Sequence, residues 1–160
     1  MNKSTKNTLK YISQAAVIAA LYVALSYMVF PLASGAIQFR ISEALCILAV
    51  FTPAAIPGMA IGCFLFNLIS GCVIYDVIFG SLATLVGVLF TRVLKKLPLI
   101  APAPYVLANI VTVPLVLQFA YGLEDRLAWL FLTVGIGEIL SAWVCGIMLW
   151  FAVRKTKIFR

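Results

Sequence analysis

The 160-residue chain is 64% hydrophobic and only 11% charged, with a mean hydropathy of +1.13. A soluble domain carries roughly a quarter charged residues, so there is too little polar surface here to cover a globule in water, and the sequence is that of an integral membrane protein. The net charge of +7 does not point to nucleic acid, because the cations flank apolar runs and no basic stripe interleaves with aromatics.

Taken in order, the first apolar run extends over about residues 9–30 behind Lys3, Lys6 and Lys10. It is too long for a signal-peptide core and no clean cleavage site follows, so it reads as a retained helix. Ala15/Ala19 and Ala16/Ala20 are pairs of small residues four apart, and Ala24 continues the second pair. Such a ridge lets another helix approach closely in lipid, either within this protein or from a separate membrane subunit.

A loop from Pro31 to Phe39 leads into Ile41–Phe51, an apolar segment short for a crossing, which Thr52-Pro53 ends. Further spans are expected at about 54–70, 75–94, 101–121 and 127–153, separated by Ser70-Gly71-Cys72, Lys95-Lys96-Leu97-Pro98 and Gly122–Arg126. Pro104 and Pro114 interrupt the fifth. Ten of the twelve cations then lie on one side, and only Arg40 and Arg126 on the other. That asymmetry predicts a single transmembrane domain of six helices, N-in and C-in.

The polar residues sort by depth in this topology. Gln38, Arg40 and Glu43 gather where the second span begins; Asn67, Asp76 and Gln118 fall near outer helix ends; Asn109 and Glu138 lie deeper. Ionisable groups inside a bilayer are costly and face a cavity or a partner. Glu138, roughly 16 Å down the last helix, shares a face with Gly135, Ser141, Ala142 and Cys145; it is either a structural carboxylate or a ligand contact. Asp76 opens the fourth helix, where it can serve the helix dipole, and its face continues through Gly80, Ala83 or Thr84, Gly87 and Thr91. Trp129 and Trp143 can stack on a flat ligand, although Trp129 equally suits an interfacial belt. The cysteines Cys46, Cys63, Cys72 and Cys145 form no CxxC and there is no histidine, so neither a metal site nor a cofactor is expected. With no G-x-x-x-x-G-K-[ST] and no nucleophile–base set, no enzymatic activity is expected either.

Ile37-Gln38-Phe39-Arg40-Ile41-Ser42-Glu43-Ala44-Leu45, Phe51-Thr52-Pro53-Ala54-Ala55-Ile56-Pro57-Gly58, the run Asp76–Leu85 and Gly137-Glu138 resemble the QueT family over nearly the whole chain. These are substrate-binding S components of energy-coupling factor (ECF) transporters, assigned to precursors of queuosine. Ala49 departs from the pattern, where proline is expected, which bears on how the second helix ends. The resemblance implies an ECF S-component-like bundle in the bacterial cytoplasmic membrane, with a ligand cavity near the external face. It also implies partners: one transmembrane coupling protein and two ATP-binding-cassette ATPases, met through the alanine ridge Ala15, Ala16, Ala19 and Ala20. A 7-deazaguanine such as preQ1 or preQ0 offers adjacent N–H donors to a carboxylate, with Glu43, Asp76 and Glu138 available. Asn67, Asn109 and Gln118 are then amide readers, and Arg40 holds Glu43. An S component for another vitamin or purine-like nutrient, and a standalone six-helix carrier, stay open as alternatives.

Overall fold

The fold is known from a computed structural model that describes residues 2–29, 39–122 and 126–156; Gln38 and most of the expected first loop lie outside these residues. Among them every regular element is helical. Helix α1 (Lys3–Met28) begins six residues before the apolar run, because no proline or glycine interrupts the chain there.

Helix α2 (Ile41–Val50) is wound as a 3-10 helix and is buried from Ser42 to Ala49. Ten residues are long for that winding, which is narrower than an α-helix and rises about 2.0 Å per residue. It occupies the middle of the bundle and packs against α1, α3 (Ala55–Ile69), α4 (Ile74–Val93) and α6 (Leu127–Val153). Both its ends are tied. At the start Glu43 N–H donates to Arg40 O at 3.0 Å. At the finish the Arg92 guanidinium donates through Nη1 to Ala49 O and Val50 O at 2.9 and 3.0 Å, a cation on the carbonyl end where the helix dipole favours it.

Helices α1 and α3 meet through glycines. A Cβ at Gly58 would lie 2.8 Å from Ala15 O, and one at Gly62 would lie 2.7 Å from Tyr22 Cβ. Four-residue spacing puts both glycines on one face, so the backbones close up as small-xxx-small pairs do in lipid. The turn into α4 uses Gly71 at φ +76, the left-handed region that favours glycine. On α4 the expected stripe is buried from Asp76 through Gly80, Ala83, Thr84, Gly87 and Thr91. Helix α5 (Ala103–Phe119) crosses it where a Cβ at Gly87 would sit 2.7 Å from Tyr105 Cα.

The prolines act differently from expectation. Pro104 sits in the first turn of α5, where a missing N–H costs little, and α5 runs unbroken past Pro114. In α6 the α-helical part Leu127–Glu138 passes into a π-helical stretch, Ile139–Cys145, before returning to α-helix at Gly146.

Polar groups are buried beside the apolar core, while large apolar side chains cover the outside. Glu43, Asn67, Asp76, Thr84, Asn109, Glu138 and Ser141 are buried, whereas Ile78, Phe79, Leu82, Val86, Leu89 and Phe90 of α4 are exposed. This distribution suits lipid, not water. Among the described residues three helices are long and apolar enough to cross a membrane, at Ser4–Met28, Ile74–Val93 and Leu127–Val153; α2, α3 and α5 are shorter apolar helices.

Candidate functional site

The polar residues cluster toward one end of the bundle, formed by the start of α2 and α4 and the finish of α1, α3 and α5. Its centre is a pair of acids. Glu43 from α2 and Glu138 from α6 are 4% and 3% exposed, and their carboxyl groups lie within hydrogen-bond reach of each other. Ser141 Oγ donates to Glu43 Oε2 at 3.2 Å, and Asn109 Nδ2 approaches Glu138 Oε2 at 3.5 Å.

The π-helical stretch begins directly after Glu138. An i→i+5 bulge of this kind is often found at functional sites. Here Glu138, Ser141, Ala142 and Gly146 all come out buried toward α2, and a Cβ at Gly146 would touch Ala44 O at 3.5 Å. Beside the acids, Ser26 Oγ donates to Ser42 Oγ at 2.7 Å and links the end of α1 to the start of α2.

A second group lies over Gly80. Asp76 Oδ1 and Asn67 Nδ2 would be 3.0 and 3.2 Å from a Cβ at that position, so glycine leaves the space both side chains occupy. Asn67 Nδ2 donates to Asp76 O at 3.3 Å, and Tyr121 Oη donates to Asp76 Oδ2 at 3.1 Å. Asp76 thus joins the α3–α4 turn to the end of α5. Burial, followed by the neighbouring Cys72 and Asp76, raises the Tyr121 pKa above its usual value, so this phenol remains a donor at neutral pH.

Arg40 lies between the two groups. Its guanidinium stands over the Phe66 ring, 5.8 Å from the centroid, and feels both Glu43 and Asp76. Burial disfavours the charge, and the surrounding negative groups outweigh that, leaving its pKa raised. The expected Arg40–Glu43 pairing is therefore electrostatic proximity at the 3-10 entrance, with the short contact to Glu43 Oε2 supplied by Ser141.

Of the residues singled out from sequence, Glu43, Glu138 and Asn109 form one group and Asn67 and Asp76 another, with Arg40 between them. Gln118 is half-buried on α5 and its Oε1 has no hydrogen-bond partner among the described residues. Gln38 is outside the described residues. Trp129 is 53% exposed, and Trp143 Nε1 donates to Leu99 O at 2.9 Å in the α4–α5 connection; neither is a stacking surface for this site. The alanine ridge is graded in exposure. Ala19 is buried and Ala15 half-buried against α3, while Ala16, Ala20 and Ala24 are exposed, and all five line an open groove of about 740 Å³ with Pro57 and Leu65. Tyr121 and the Ser26–Ser42 contact escaped sequence reasoning, since a tyrosine at a helix end and serines sixteen residues apart carry no periodic signal.

A family model described as QueT transporter matches residues 12–155. Comparison with curated proteins and with solved structures gives no significant match.

Proposed function

This chain belongs to the QueT transporter family, and from that premise we propose that it is the substrate-binding S component of an ECF-type importer. It captures a queuosine precursor, a 7-deazaguanine such as preQ1 or preQ0, at the external face of the bacterial cytoplasmic membrane. ATP hydrolysis belongs to partner subunits, one coupling protein and two ATPases. All six helices cross the membrane with both termini in the cytoplasm, a reading supported by ten cations out of twelve at the two termini and the α4–α5 connection.

The observation that carries the substrate assignment is the buried Glu43–Glu138 pair with Asn109 and Ser141 on its flanks. One carboxylate accepts the adjacent N–H donors of a deazaguanine edge. The other meets the aminomethyl ammonium where the ligand carries one, since a buried charge is tolerated only when paired. Arg40 over Phe66 and Asp76 under Tyr121 form the rim.

Thermal unfolding of the purified protein with preQ1, preQ0, queuine and common vitamins tests this. A ligand at a hundred times its Kd stabilises by about 2.7 kcal/mol, and a 7-deazaguanine should give the largest shift. Glu138→Gln should abolish that shift while the protein still elutes as a single folded species. A larger shift from another nutrient, or unchanged affinity in the variant, overturns the assignment. Co-purification with ATPase subunits separates an S component from a standalone carrier.

A further inference from the structure

Two tyrosines of the buried core have no task in that scheme. Tyr22 of α1 and Tyr105 of α5 are 0% exposed, and neither hydroxyl has a hydrogen-bond partner among the described residues. The thiol of Cys63, a weak hydrogen-bonding group, lies close to Tyr22. A buried hydroxyl without a partner costs stability, so if these side chains only filled space, phenylalanine would serve better at both positions. Their rings are nonetheless closely fitted, Tyr22 against Gly62 and Tyr105 against Gly87.

Tyr22 is within electrostatic reach of Glu43 and Arg40, and Tyr105 of Glu43, Tyr22 and Glu138. Tyr105 stands one turn before Asn109 on α5 and so shares its face. Tyr22 joins the same core cluster from α1.

The hydrogen bonds among these buried polar groups show what is missing. Ser141 is committed to Glu43, Ser26 to Ser42 and Asn67 to Asp76 O. Among the described residues the buried side-chain atoms without a partner are Tyr22 Oη, Tyr105 Oη, Arg40 Nε, Asn67 Oδ1 and Gln118 Oε1. The first three can donate and the last two only accept. The carboxylates supply acceptors in plenty, so a ligand with a carbonyl or ring nitrogen needs a donor, and the two phenols are the neutral ones that stand free.

We infer that Tyr22 and Tyr105 are specificity-determining ligand contacts, whose hydroxyls donate to an acceptor atom of the bound heterocycle opposite the edge that the carboxylates read. The inference rests on the binding reading above and extends it: the site selects a ligand that carries acceptors as well as donors, not merely a cation.

The test uses the full chain in detergent micelles, with preQ1 as the probe and Tyr22→Phe and Tyr105→Phe as variants. Each variant should raise the Kd for preQ1 about tenfold or more, since each leaves a ligand acceptor unpaired. The melting temperature of the ligand-free variants should stay level or rise, because an unpartnered hydroxyl has been removed. Wild-type binding with both variants within twofold of it overturns the inference and leaves the proposed function standing. A fall in ligand-free melting temperature also overturns it, because the hydroxyls would then be satisfied within the fold. If the wild-type protein binds no 7-deazaguanine, the proposed function fails first and this inference fails with it.

Discussion

The contact between Tyr121 and Asp76 shows how a single side chain at a helix end can govern a rim. Tyr121 Oη donates to Asp76 Oδ2 at 3.1 Å, and burial together with Cys72 and Asp76 raises its pKa. A raised folded-state pKa means that the stabilisation is complete below the unfolded value of about 10 and is lost as pH rises through the folded value. Melting temperature should therefore lose this contribution only on the alkaline side, and Tyr121→Phe should remove that part of the alkaline decline. A decline identical in wild type and variant would assign it to other groups. At this scale the acids were easy to find, because Glu43, Asp76 and Glu138 are rare charges in an apolar chain. Their partners were not. Ser141 is one serine among small residues, and Tyr22 and Tyr105 look like ordinary membrane aromatics until burial shows their hydroxyls turned inward without partners.

Among the elements, the α1–α3 pair depends on absent side chains. Gly62→Ala brings a methyl to 2.7 Å from Tyr22 Cβ, which the two backbones can relieve only by moving apart. Overpacking of this kind costs about 1–3 kcal/mol, so the variant should melt lower than wild type and, by shifting Tyr22, weaken ligand binding as well. A melting temperature equal to wild type would mean that the helices separate freely. Small residues four apart are readable in sequence, as the alanines of α1 are. Gly58 and Gly62 carry the same spacing in α3 and form the other half of the contact. Helix boundaries at α3 to α6 came within a few residues of the apolar runs, since hydropathy follows burial in lipid. Winding did not. Neither the 3-10 form of α2 nor the π stretch of α6 leaves a mark in hydropathy, because both arise from hydrogen-bond register set by what packs around the helix.

For the whole molecule, the alanine ridge both packs on α3 and opens to the outside. Ala15 and Ala19 are the less exposed members beside α3, whereas Ala16, Ala20 and Ala24 are the exposed ones, and all line the groove. If the coupling protein docks there, Ala16→Leu with Ala20→Leu should abolish co-purification of the ATPase subunits and leave the preQ1-induced thermal shift intact. Retained co-purification would move the docking surface elsewhere on the bundle. That the surface must be largely apolar is legible from composition alone. The alternating topology also brings Arg40, Glu43, Asn67 and Asp76 toward one end; the side-chain contacts there, Asn67 to Asp76 O and Tyr121 to Asp76 Oδ2, are visible only in the fold.

The tight winding of α2 also answers a question of length. Ten residues at about 2.0 Å each reach about 20 Å, whereas an α-helix would need roughly thirteen residues for the same distance. The segment is thus a strut cut short in sequence and drawn out in space. It carries Arg40 and Glu43 at one end and receives Arg92 at the other. Inserting residues into α2 would therefore not complete a deficient span; it would overshoot, pushing Glu43 past Ser141 or pulling Val50 off Arg92.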